Sequence, residues 1–170
     1  EHYQYAAGMG NGDAVNSVGF FYENGLGVEQ DFIRAREFYE QAVETGNASA
    51  MANLASMLYD GRGSGKDLKR AAELIRMSAE HGNPMALNSL GWIYEQGDGV
   101  AQDYGASREW YLKAAEAGVP QAMFNLGRVY ENGIGVAQDA GTARQWYAKA
   151  AENGLEAAVQ KLKALEDANG

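Results

Sequence analysis

Residues 22 to 31 read YENGLGVEQD: two glycines one residue apart, an asparagine before them and two acids after. Glycine-rich turns can cradle phosphate, and acid-bearing loops can bind calcium. The phosphate reading needs a strand before the loop and a Lys-Ser/Thr pair after it, and the sequence supplies neither. The calcium reading needs acids at alternate positions and a glutamate at the twelfth, and these are missing too. The two histidines, His2 and His81, stand far apart in a chain without cysteine, so the sequence offers no metal site. No HExxH, SxxK or GxSxG occurs, which removes the usual signatures of zinc proteases and serine nucleophiles. Glu44, Glu80, Glu116 and Glu152 recur at a fixed spacing that solvated helix faces explain. Catalytic carboxylates would need a pairing geometry that spacing alone does not provide. No cofactor is implied.

The loop is one of four. The stretch returns as LYDGRGSGKD from residue 58, YEQGDGVAQD from 94 and YENGIGVAQD from 130. Its first glycine recurs as Gly25, Gly61, Gly97 and Gly133, and its closing aspartate as Asp31, Asp67, Asp103 and Asp139, each step 36 residues long. A fixed period of this size points to a repeat array in which each unit packs on its neighbours. Each unit holds two helical stretches. Helix A is expected from about Asp13 to Glu23, with apolar residues spaced for burial on two sides, and helix B from about Asp31 to Thr45, with a stripe of Ala35, Phe38, Tyr39 and Ala42. The loop must end one helix, turn and start the next. Glycine supplies the required backbone angles, aspartate caps the following helix, and Val28, Val100 and Val136 pack beneath the turn. Pro84 and Pro120 fall where helix A starts, a position that tolerates proline. Gly19, Gly91 and Gly127, with Ala55 in the second unit, are expected to let two helix backbones approach closely.

This reading gives an all-α chain of about four full 36-residue repeats plus terminal half-repeats: repeats over 10–45, 46–81, 82–117 and 118–153. Residues 1–9 are expected to be a trailing helix B, because YQYAAGMGNGDA at 3–14 aligns with YLKAAEAGVPQA three periods later. The chain is thus expected to be a portion of a longer protein. Residues 154–170 form a capping helix, with Lys163 at the glycine position and Glu166 at the tyrosine position. Ten helices and no strands are expected.

Composition limits function. The 170 residues are 46% apolar, with a net charge of −9 and no cysteine. Such a charge argues against nucleic-acid binding, which rests on cationic contacts to phosphate. No run approaches the eighteen apolar residues of a membrane span. Disulfides and thiolate chemistry are excluded.

The fourth unit, running from Ala122 through Leu126-Gly127, Tyr130, Gly133, Gly135-Val136, Asp139, Ala143, Trp146 and Ala150-Ala151 to Gly154, resembles the Sel1-like repeats (SLR), relatives of the tetratricopeptide repeat. The third unit differs at Ser107, and the first has Val18 for leucine and Phe38 for tryptophan. The second departs most, with Ala55, Leu58, Ser64 and Leu74 at consensus positions. The resemblance covers essentially the whole chain. It implies a right-handed α/α superhelical solenoid of antiparallel helix pairs, with helix A lining the concave side. Some relatives are associated with penicillin binding and β-lactam hydrolysis, but those are rich in cysteine.

Positions that recur build an array, so positions that vary are free to recognise a partner. On helix A these form the series Asn16, Ala52, Asn88, Phe124; Phe20, Ser56, Trp92, Arg128; and Glu23, Tyr59, Glu95, Glu131. The aromatics Phe20, Tyr59, Trp92 and Phe124 have no packing role in the repeat pattern, and aromatic anchors beside arginine are characteristic of interface hot spots. The expected function is a non-enzymatic scaffold or adaptor that holds a peptide or partner protein in its concave groove. Asn16, Phe20, Glu23, Ser56, Tyr59, Asn88, Trp92, Phe124 and Arg128 form the contact set. A second docking patch for an acidic partner is read from Arg62, Lys66, Lys69, Arg70 and Arg76. Residues 46–81 carry five bases against four acids, net +1, whereas residues 10–45 carry two against seven, net −5. Cell-wall glycan is the alternative ligand, because exposed rings also stack on sugars, and a penicillin-recognising enzyme is the third reading. The resemblance places the parent protein among bacterial signalling, envelope or effector proteins, with a lean to the envelope or periplasm.

Overall fold

The computed structural model of the chain describes residues 11–167; the helix expected over 1–9, and His2 within it, lie outside these. The described residues are all-α: α1 (Gly12–Asn24), α2 (Phe32–Glu44), α3 (Ala48–Asp60), α4 (Leu68–Glu80), α5 (Pro84–Gln96), α6 (Tyr104–Glu116), α7 (Pro120–Asn132), α8 (Ala140–Glu152) and α9 (Glu156–Asp167). Odd-numbered helices are the A helices and even-numbered ones the B helices. The chain divides into two compact units, one reaching to Ala86 and including Asp98–Val100, the other made of Leu87–Gly97 and the residues from Ala101 onward.

The helix boundaries follow from capping chemistry. Asp31, Asp67, Asp103 and Asp139 each accept a backbone N–H in the first turn of the B helix that follows. Gly25, Gly61 and Gly133 close α1, α3 and α7 in the left-handed conformation, where a Cβ is disfavoured. The second loop glycine has a different task. A Cβ on Gly63 would come within 2.7 Å of the Phe32 carbonyl oxygen at the start of the preceding B helix. A Cβ on Gly99 would meet the Leu68 carbonyl oxygen, and one on Gly135 the Tyr104 side chain, more tightly still. The loop is therefore a joint that ends a helix, caps the next one and abuts the previous repeat.

The A helices are buried along two rows, as a helix packed on both flanks must be. In α1 these rows are Ala14, Val18 and Val15, Gly19. In the second unit Leu126, Ala122 and Ala158 are wholly buried in a cluster that also takes in Tyr111 and Ala150. At the helical glycine of the first repeat two backbones do come close: a Cβ on Gly19 would stand 3.2 Å from the Ala35 carbonyl oxygen on α2. The missing Cβ atoms of the helical glycines also make room for a buried ring on the B helix of the same repeat: Tyr39 against Gly19, Tyr111 against Gly91 and Tyr147 against Gly127. Those three tyrosines are at most 1% exposed. Ala55 and Ile75, both buried, replace the glycine and the tyrosine in the second repeat. Elsewhere on the B helices, Lys113 and Lys149 lie 4.1 and 4.2 Å above the rings of the half-buried Trp110 and Trp146. Among the described residues, no helix is long and apolar enough to cross a membrane.

Candidate partner-binding face of the A helices

In the first unit, the buried Tyr39 hydroxyl donates to the Glu23 carboxylate. Burial, with this hydrogen bond and the adjacent negative charge, drives the Tyr39 pKa well above the usual tyrosine range. Arg62 reaches the other oxygen of Glu23 through Nη1 and donates through Nη2 to Ser56 at 2.8 Å. Its Nε lies 3.1 Å from Asp60. About two turns before Glu23 on α1, Asn16 accepts from Asn53 at 3.0 Å. Phe20 stands between the amide pair and the ion pair and remains 45% exposed.

In the second unit the same arrangement recurs on different helices. The Tyr111 hydroxyl donates to Glu95, which is 5% exposed. Arg128 grips both oxygens of that carboxylate, at 2.8 and 2.6 Å. The Glu95 hydrogen bond raises the pKa of Arg128 and keeps it charged. Asn125 donates to Asn88 at 2.9 Å. Trp92 lies between them, 42% exposed, with the Arg128 guanidinium 5.8 Å from its ring centre. Further along, Tyr147 and Lys161 both converge on Glu131.

The structure thus brings Asn16, Phe20, Glu23 and Ser56 together in one unit, and Asn88, Trp92 and Arg128 in the other. Two aromatics expected to be free of packing are not. Phe124 is half-buried, with its ring 5.1 Å from that of Tyr147, and it packs against the second-unit core. Tyr59 is half-buried and donates to Asp98 at 2.6 Å. Two of the five basic residues read as a second docking patch are paired with acids. Arg62 turns to Glu23, and Arg70 lies 3.4 Å from Glu73. Lys69 and Arg76 alternate with Glu73 and Glu80 at spacings that share one face of α4. Lys66 is exposed in the preceding loop. His81 ends α4, its Nδ1 2.9 Å from the Met77 carbonyl oxygen.

The tyrosine–glutamate–cation arrangement is not among the features expected from the sequence. Its signal was present: a helical glycine, a glutamate four residues later and a tyrosine sixteen beyond that recur in repeats one, three and four, and all three change together in repeat two. Among the described residues, no group of three or more histidines or acids could hold a metal ion. An open pocket of about 480 Å³ beside the first loop is lined by Tyr22, Val28, Glu29, Gln30, Asp31 and Arg34.

The Sel1 repeat family profile matches residues 12–47, 48–83, 84–119 and 120–155, the 36-residue period read from the sequence, framed two residues later. No curated protein matches the chain. A crystal structure of a Sel1 repeat protein from Oxalobacter formigenes is similar, with 32% identity and a TM-score of 0.86 over 91% of this chain and 63% of its own. A protective antigen present in uropathogenic Escherichia coli strains, which displays an SLR fold, is 36% identical with a TM-score of 0.88, over 99% of this chain and 36% of its own. This chain therefore spans less than two thirds of either relative. Helicobacter pylori cysteine rich protein B shares the fold at 23% identity and a TM-score of 0.60, over 78% of this chain and 96% of its own. Sel1 repeats are scaffolds that mediate protein–protein interactions, and with four of them in tandem this chain belongs to the Sel1 repeat family.

Proposed function

We propose that this chain is a non-enzymatic adaptor module that binds a peptide or partner protein on the A-helix face carrying Phe20 and Trp92, within a larger bacterial envelope, signalling or effector protein. The observation that carries this reading is the exposure of those two rings. Each sits midway along a helix whose flanking rows are buried, yet Phe20 is 45% and Trp92 42% exposed. An aromatic side chain left in water by a well-packed helix gains most by burial against a partner, and it does so at low conformational cost. The neighbouring ion pairs hold the surface rigid, which lowers the entropy lost on binding.

The test is retention of proteins from bacterial lysate by the chain and by its Phe20→Ser/Trp92→Ser version, with matched helicity by circular dichroism. Proteins held by the first and lost by the second support the adaptor reading; equal retention by both removes it. The open face of Trp92 also favours a second reading, stacking on a sugar ring. A saturable shift of tryptophan fluorescence with peptidoglycan fragments, abolished by Trp92→Ala, would establish it.

A further inference from the structure

The two clusters on the A helices are one arrangement built twice, with a period of two repeats. Asn16, Phe20 and Glu23 stand at spacings of four and three residues along α1, and Asn88, Trp92 and Glu95 stand at the same spacings along α5. Such residues share one helix face. Each asparagine is paired by an amide from the next A helix, Asn53 or Asn125. Each glutamate accepts from a buried tyrosine and from an arginine.

The arginines make the duplication informative, because they do not come from equivalent positions. Arg128 projects from helix α7, and its counterpart two repeats earlier is Ser56. Arg62 instead comes from the loop after α3 and lies against the Ser56 hydroxyl, so that its guanidinium stands in for the arginine that position 56 lacks. Two different backbone routes deliver the same group to the same place. The repeat pattern does not demand this, since the second repeat has Tyr59 and Ile75 where the others have glutamate and tyrosine.

We infer that the chain carries two equivalent subsites, one in each unit, each for a short, uncharged, extended peptide segment with an apolar side chain. The inference rests on the adaptor reading and deepens it. In each amide pair one carboxamide oxygen accepts and one NH2 donates, which leaves an NH2 group on Asn16 or Asn88 and an oxygen on Asn53 or Asn125. One donor beside one acceptor is the complement of a peptide group. The exposed ring lies one helical turn on, about 6 Å away, the span of about two residues of extended chain. A peptide group held by the amides thus places a nearby side chain over the ring. The glutamate–arginine pair is neutral as a unit, so it does not call for a charged residue. The guanidinium beside Trp92 disfavours a cation there.

The test is a 1H–15N NMR titration of the intact chain with acetyl-Gly-Gly-Leu-Gly-Gly-amide up to its solubility limit, following the side-chain NH2 signals of Asn16 and Asn88. Both should shift and saturate. With the NH2 signals of their partners Asn53 and Asn125 followed as well, Asn16→Leu should abolish the response at Asn53 and leave those at Asn88 and Asn125, and Asn88→Leu should abolish the response at Asn125 and leave those at Asn16 and Asn53. Replacing the leucine of the probe by glycine should weaken both by about tenfold, the effect of losing one buried leucine side chain. A response in one unit only, a response in neither, or loss of both on a single substitution would overturn the inference. So would shifts produced by an N-acetylglucosamine oligomer and not by the peptide. If the Phe20→Ser/Trp92→Ser chain loses its partner while only one amide pair answers the peptide, the adaptor reading stands and the paired subsites fall.

Discussion

Single atoms decide the packing between the two helices of a repeat. A Cβ on Gly127 would stand 2.5 Å from the Tyr147 ring, and Tyr147 is 1% exposed with no room to retreat. Gly127→Ala gains some helix propensity, but overpacking wins, and we expect a net loss of about 1–3 kcal/mol in urea unfolding. Ser107 presents the opposite case. It occupies the place of a repeat-pattern alanine, is 2% exposed, and its hydroxyl has no hydrogen-bond partner. Ser107→Ala should therefore stabilise the chain by about 1 kcal/mol, seen as a higher urea midpoint at unchanged slope. A destabilised Ser107→Ala chain would show that the hydroxyl is satisfied in solution.

At the scale of elements, the A helices are tied to one another by charge as well as by apolar contact. Arg128 is 26% exposed and Glu95 only 5%, so Arg128→Met would strand a carboxylate in a largely dry place at a cost of about 2 kcal/mol. Adding Glu95→Gln should restore most of that loss, and a double-mutant cycle measures the coupling. Glu131 gives the tie a pH dependence. Burial pushes its pKa up, but hydrogen bonds from Lys161 and Tyr147 outweigh this, and the net shift is downward. A carboxyl whose folded pKa is depressed contributes stability above its unfolded pKa and loses it as pH falls through the folded one. Glu131→Gln should accordingly flatten part of the fall in stability below about pH 4. An unchanged acid limb would contradict the pairing.

Helices, loops and caps were legible because their causes are local. Gly25 must be glycine for its own backbone angle, and Asp31 caps the helix that begins beside it. The face chemistry was legible only in outline. Phe20 and Trp92 were found because they break the repeat pattern, but Phe124 breaks it equally and packs on Tyr147. Arg62 was grouped with its sequence neighbours, yet its partner Glu23 lies 39 residues away and belongs to another repeat. Contacts of that separation depend on how one repeat sits on the next, which period and spacing do not encode.

For the molecule as a whole, the proposed function makes the A-helix face the place where another protein is held. Phe20 can be replaced by the photo-crosslinking analogue p-benzoylphenylalanine with little change in shape, and the same analogue at exposed Glu37 on α2 samples a B helix. The deciding measurement is irradiation of both versions in bacterial lysate, followed by identification of the attached proteins. The analogue at position 20 should capture a defined protein that unlabelled chain displaces, and the analogue at position 37 should not. Capture of that protein only from position 37 would place binding on the B helices and contradict the proposed function.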